Sequence, residues 1–187
     1  MTGTDFWPPA FIIDNVVHLL TTNLHQHSYL LVFPIMTQIP DLPKQILVQG
    51  SIPESFERAL LGVIVVDHGS KRDESNISVQ EMARLFQHHA DVEIVEPAHM
   101  ELASPDINAA YQACVARGAQ YIVVHPYFLA PGRHWHKDIP ELAREAARQH
   151  PETSCVVTAP LGIHKYIIDV MATRITDALP STDNHNE

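Results

Sequence analysis

Between Ala59 and Asp177 the chain alternates, four times over, between a short apolar run and a stretch with helical spacing. Leu60–Val66 is continuously apolar and rich in Val and Ile, and it ends in Asp67-His68-Gly69-Ser70. A run without polar alternation reads as a strand buried on both faces of a parallel sheet. Val92–Val95, Tyr121–Val124 and Cys155–Val157 read as three more strands. Between them lie helical stripes. Val79, Met82, Leu85, Phe86 and His89 make the first. Ile107, Ala110, Tyr111, Cys114 and Val115 make the second, with Ser104 as cap and Pro105 in the first turn. Ile139, Leu142, Ala143, Ala146 and Ala147 make the third, and Ile167, Ile168, Met171 and Ile175 the last. This alternation predicts an α/β fold, a four-stranded parallel sheet with helices on both faces. In a 2-1-3-4 strand order, the loops leaving the first and third strands face each other across a crevice beyond the strands' carboxyl ends.

The expected organisation is an extension at 1–58, a single domain at 59–179 and a polar tail at 180–187. The extension carries Pro8, Pro9, Pro34, Pro40, Pro43 and Pro53 and no sustained period, and no function is read from it. Its apolar stretches fall short of the roughly 18–20 residues that span a bilayer, and no basic residue precedes Lys44, so a cytoplasmic protein is expected. Lys plus Arg number 12 against 22 Asp plus Glu, a net charge of −10. Nucleic acids and anionic membranes reward clustered positive charge, so neither is expected as a partner. Cys114 and Cys155 sit in apolar patterns and read as buried thiols.

The residues suited to chemistry gather in the loops at the predicted crevice. The first loop is Asp67 to Arg72. The third is long and rich in His, running from His125 to Asp138. Long loops at that end of a sheet are usually functional. The second strand leads into Glu96-Pro97-Ala98-His99-Met100-Glu101. Imidazoles and a carboxylate converging there would suit a borderline divalent metal. Taken singly, a histidine is more often a solvated or hydrogen-bonded side chain than a ligand, and the sequence holds no zincin or zinc-finger spacing. Nor does it hold a P-loop or a Gly-x-Gly-x-x-Gly stretch.

VVDHGSKRDESN (65–76), VEPAHMELASPDI (95–107), HPYFLAPGRHWHKDIPEL (125–142) and VTAPLGIH (157–164) together resemble the short-form sirohydrochlorin chelatases, single-domain relatives of the ATP-independent class II chelatases. The version with Asp67 before His68, and with Pro-Gly-Arg-His-Trp, is similar to the cyanobacterial and plant-type ferrochelatases. The resemblance covers roughly Ala59 to Asp177 and implies a flavodoxin-like half-unit. Its cleft would be completed by a second copy in a homodimer. By motif, His68 and His134 match the two histidines at the metal-insertion centre. Glu101 matches the acidic residue near it, with Glu96 as its competitor. The cysteine cluster of the plant enzymes is missing, so no iron–sulfur centre and no permanently bound cofactor are implied.

The implied reaction is a lyase step: insertion of a divalent metal into sirohydrochlorin to give sirohaem. Fe²⁺ is favoured, with Co²⁺ towards cobalamin as the alternative, Ni²⁺ a lesser one, and a non-turning-over metal or tetrapyrrole carrier as a different class. The ion must be held and two ring N–H protons removed. Neutral imidazole does both, because it ligates borderline metals and titrates near pH 6.5. His68 and His134 are therefore expected as metal ligands and proton acceptors, with Glu101 steering the ion or relaying a proton. The ligand carries eight carboxylates. Lys71, Arg72, Arg133 and Lys137, with Ser70 and the backbone N–H groups of Gly69 and Ser70, are its expected anchors. Trp135 is the expected ring contact, and Tyr127 and Phe128 could either stack on the ring or pack the loop.

Overall fold

The computed structural model describes residues 44–180. They divide into two compact units. One runs to Gly162 and carries a sheet; the other begins at Ile163 and carries a single helix. The sheet has five strands: β1 (Gln45–Gln49), β2 (Leu61–Asp67), β3 (Ile94–His99), β4 (Tyr121–Pro126) and β5 (Ser154–Thr158). Their order is β1-β5-β4-β2-β3. The last four, taken in chain order, stand 2-1-3-4 as expected, and all of their pairings are parallel.

The fifth strand departs from the four-strand expectation. β1 pairs antiparallel with β5, Ile46 opposite Val157 and Leu47 opposite Val156. It lies inside the stretch read as an extension, so the sheet begins before the boundary drawn at residue 59. Residues 1–43 and 181–187, which hold the rest of that extension and most of the tail, lie outside the described residues.

Strand residues alternate between two cores, as the pleat requires. Ile64, Val66, Ile122, Val124, Cys155 and Val157 pack on one face. They meet Ile107, Ala110, Tyr111 and Cys114 of α2 (Ile107–Ala116), and Ile139, Ala143, Ala146 and Ala147 of α3 (Ile139–Arg148). Val63, Val65 and Val95 pack on the other face, against Val79 and Ala83 of α1 (Asp73–Ala90). Cys114 and Cys155 are free and buried, and desolvation pushes both thiols up to about 12. That leaves little thiolate for metal binding at neutral pH.

Three local expectations shift. α2 is capped by Asp106, whose carboxylate accepts the Ala109 N–H at 2.8 Å, not by Ser104; Pro105 lies outside the helix and its carbonyl accepts the His99 N–H at 2.8 Å. The second strand starts at Ile94 because Asp91 turns left-handed at φ 52°. It then continues through Pro97, which an edge strand tolerates because one side of its backbone has no neighbour to bond. On α1 the buried line is Val79 and Ala83, leaving Met82, Leu85 and Phe86 exposed.

In the second unit, α4 (Lys165–Ala178) begins under His164, whose Nδ1 accepts the Tyr166 N–H at 3.3 Å. His164 is thus a helix cap. No helix among the described residues is long and apolar enough to cross a membrane.

Candidate metal centre

β2 and β4 are neighbours, so the loops that leave them emerge side by side. His68 follows the last residue of β2. His134 opens a five-residue π-helical turn, His134–Asp138, that runs straight into α3. The two rings meet edge to face with centroids 5.2 Å apart. Glu101 joins them from the β3 side, its Oε1 2.8 Å from His68 Nε2. It is carried there by the continuing strand register: Met100 N–H donates to Asp67 O at 2.8 Å and Glu101 N–H to His68 O at 3.2 Å. Side chains from three loops, at positions 68, 101 and 134, therefore share one half-exposed crevice. Glu96 is elsewhere: it lies within β3 and takes the Arg117 guanidinium at 2.6 Å.

Each imidazole has a carboxylate partner. His134 Nδ1 lies 2.8 Å from Asp138 Oδ2. Donation from Nδ1 fixes the tautomer and leaves the Nε2 lone pair free, the arrangement that outer carboxylates impose on metal-binding histidines. Asp138 was not singled out in the sequence, although it stands four residues after His134, the spacing at which helical side chains meet. His68 presents Nε2 to Glu101, and its Nδ1 faces Gly69 O at 3.4 Å. A proton held on Nδ1 against that carbonyl would leave Nε2 as the atom that could hold an ion. Among the described residues, no three His, Cys, Asp or Glu side chains form a closed ligand set. What the crevice holds is an open arrangement, with Glu101 still on His68.

Trp135 is not a ring contact. It is wholly buried, and its Nε1–H donates to Thr158 O at 2.8 Å. The π-helical turn points it into the core beneath His134, so it anchors the loop from below. Tyr127 and Phe128 are half-buried and pack against opposite cores, and the Phe128 ring lies 6.4 Å from that of His134. The exposed apolar side chains of these loops are instead Leu102 and Leu129. Leu102 holds φ at 65°, an uncommon conformation for a residue with a side chain.

The expected anchors fare unevenly. Lys71, Arg72, Arg133 and Lys137 are all exposed, and Arg133 Nε lies 3.5 Å from Asp138 Oδ1. The N–H groups of Gly69 and Ser70 are already engaged, by Asp67 Oδ1 and Asn76 Oδ1, each at 2.9 Å. The Ser70 hydroxyl accepts the Arg72 N–H at 3.0 Å. The backbone of this loop is therefore committed to holding its own shape, and the first turn of α1 already carries Asp73 and Glu74. The four exposed cationic side chains are the remaining positive groups of these two loops.

Behind the centre, His125 Nδ1 lies 2.7 Å from Thr158 Oγ1, which itself donates to Ala159 O. Its Nδ1 is thus the donor. Burial lowers the pKa of His125. The unfolded chain consequently binds this proton more readily than the folded one, and stability should fall as pH drops below about 6.5. The contribution cannot exceed one proton, about 1.4 kcal/mol per pH unit. Chemical denaturation of wild type and His125→Gln between pH 7.5 and 5.5 should show the shallower pH dependence in the variant. Equal slopes would disprove it.

The CbiX family model matches residues 62–178. Over 118 residues, 63% of the chain, the sequence is 50% identical to the chloroplastic sirohydrochlorin ferrochelatase of Arabidopsis thaliana. The match takes in 52% of that protein, so the chain spans about half the length of this relative. It is 32% identical over 120 residues to the sirohydrochlorin cobaltochelatase of Sulfolobus acidocaldarius, covering 64% of this chain and 94% of that one. Among solved structures it resembles SirB from Bacillus subtilis with Fe3+, at a TM-score of 0.60 and 27% identity, over 64% of this chain and 48% of that chain. The family match takes in β2 to β5 with the crevice loops between them, and the chain belongs to the CbiX family.

Proposed function

We propose that this chain inserts a divalent metal, Fe²⁺ by preference, into sirohydrochlorin without ATP. The observation that carries the reading is the meeting of His68 and His134, far apart in sequence, at a centroid distance of 5.2 Å with Glu101 against one of them. In the reaction M²⁺ forms bonds to the ring nitrogens and two N–H protons leave. His134 Nε2, free because Nδ1 is held by Asp138, offers a lone pair to the ion or accepts a ring proton. Glu101 gives up its bond to His68 and accepts one ring proton, one of the two imidazoles accepts the other, and the remaining imidazole offers its lone pair to the ion. Arg133 and Lys137 beside His134, with Lys71 and Arg72 beside His68, bind the peripheral carboxylates. Leu102 and Leu129 supply apolar contact to the macrocycle in place of Trp135.

The crevice of one chain is open, which supports a homodimer whose second copy closes it. Met82, Leu85 and Phe86 on α1, and separately Ile168, Met171 and Ile175 on α4, leave apolar surface for such an interface. Co²⁺ insertion is the second reading, favoured by relatives named as cobaltochelatases. Imidazole and carboxylate donors accept either ion. The test is an anaerobic assay of the full chain with sirohydrochlorin and Fe²⁺ or Co²⁺ under identical conditions. The metallated product should accumulate well above the non-enzymatic rate, faster with Fe²⁺. Rates equal to the protein-free control with both ions would refute the proposal.

A further inference from the structure

We propose that Asp67 and His99 form a positioning clasp that sets the distance between His68 and Glu101 and thereby the affinity of the centre for its metal. This rests on the reading of that centre as a metal-insertion site. Asp67 ends β2 and His99 ends β3, opposite each other in the parallel register. One carboxylate oxygen, Asp67 Oδ1, receives two bonds: the Gly69 N–H at 2.9 Å and His99 Nδ1 at 2.6 Å. The first bond curls the His68 loop back on its own strand. The second ties that strand end to the segment carrying Met100 and Glu101.

His99 is fully buried, and its Nε2 has no hydrogen-bond partner. A buried N–H left unpaired costs more than a buried lone pair, so the ring carries its proton on Nδ1 and donates it to Asp67. A histidine sealed away from the crevice by its own strand is not a ligand. Its side chain's hydrogen bond is to Asp67, the residue next to His68. His99 is further held by its backbone N–H on Pro105 O, which ties the clasp to the residue just before the Asp106 cap of α2. The pair touches neither crevice imidazole, and acts through the positions of His68 and Glu101.

Because both bonds end on one oxygen, the role is geometric and an amide can fill it. Asp67→Asn keeps an acceptor for both N–H groups; Asp67→Ala keeps neither. Similarly, His99→Asn keeps a donor near the Nδ1 position, and His99→Leu removes it. The measurement is titration of each full-length protein with Co²⁺ alone, followed by its ligand-field absorption, well below the melting temperature of each variant. Loss of a partner bonded directly to a ligand typically costs 10–100-fold in metal affinity, and the clasp, one step further out, falls at the lower end of that range. Asp67→Ala and His99→Leu should weaken Co²⁺ by at least about tenfold, with Asp67→Asn and His99→Asn within about threefold of wild type. If Asp67→Ala fails to fold, the His99 pair and Asp67→Asn decide the matter. Wild-type affinity in the folded Ala or Leu variants overturns the clasp alone, as does an Asp67→Asn protein that loses affinity at least tenfold. A wild-type chain that takes up no Co²⁺ removes the metal centre, and the clasp with it.

Discussion

Alanine at His68 or at His134 should lower kcat/KM for metal insertion by at least about a hundredfold, with the melting temperature little changed. The magnitude follows from the role. A positioned acid–base group contributes roughly 10²–10⁴-fold, and each imidazole is also asked to hold the ion. The retained fold follows from exposure: His68 and His134 have side chains 42% and 46% accessible, so truncation leaves no core cavity. The double variant should lose much less than the product of the single losses, because residues acting as one unit are not additive. Asp138→Ala should have a milder effect, since it releases the His134 ring without removing it. Steady-state rates with saturating metal, beside thermal melts, check all four proteins. A wild-type rate in both single variants would dissolve the assigned centre, however well the loops converge.

Why the sequence yielded the convergence but not its supports is a matter of range. Apolar runs and stripes report which residues face a core, and strand order follows from connection rules; together they brought the loops after Asp67 and Pro126 to one place. β1 escaped because Gln45–Gln49 is only five residues long, in a Pro-rich stretch, and its antiparallel edge position needs no βαβ unit to announce it. An aromatic residue among His, Lys and Arg looks like a contact residue, yet Trp135 is buried. A π-helical turn rotates one residue in that segment into the core, and no periodicity marks which one. Asp138 was legible, four residues from His134, yet that spacing matters only once the segment is known to be helical. His99 was visible as a residue, but nothing in a linear sequence says that the ends of two strands share one carboxylate oxygen. Met82, Leu85 and Phe86 show the converse limit: helical spacing identifies an apolar face without saying whether the same chain covers it.

The second large effect belongs to a residue with no chemistry of its own. Gly69→Ala should abolish measurable metal insertion and destabilise the fold by about 3 kcal/mol or more, through strain and overpacking together. Gly69 sits at φ 82°, a conformation open to glycine but costly for alanine. Strain there would cost on the order of 1 kcal/mol and leave a working protein. Space is the harder limit. A Cβ built on Gly69 would lie 2.0 Å from Glu101 O and 3.1 Å from the His99 side chain. The first of those atoms is backbone, held by a strand end whose N–H bonds to His68 O, so it cannot rotate away as a flexible side chain would. Relief requires the His68 loop to separate from the Glu101 segment, which breaks the contact between His68 and Glu101. Stability and activity should therefore be lost together, unlike in His68→Ala, where activity alone is lost. Co²⁺ titration and chemical denaturation of the same preparation separate the two patterns. A Gly69→Ala protein that keeps wild-type stability would mean that the close approach of the two loops is not what holds the centre together.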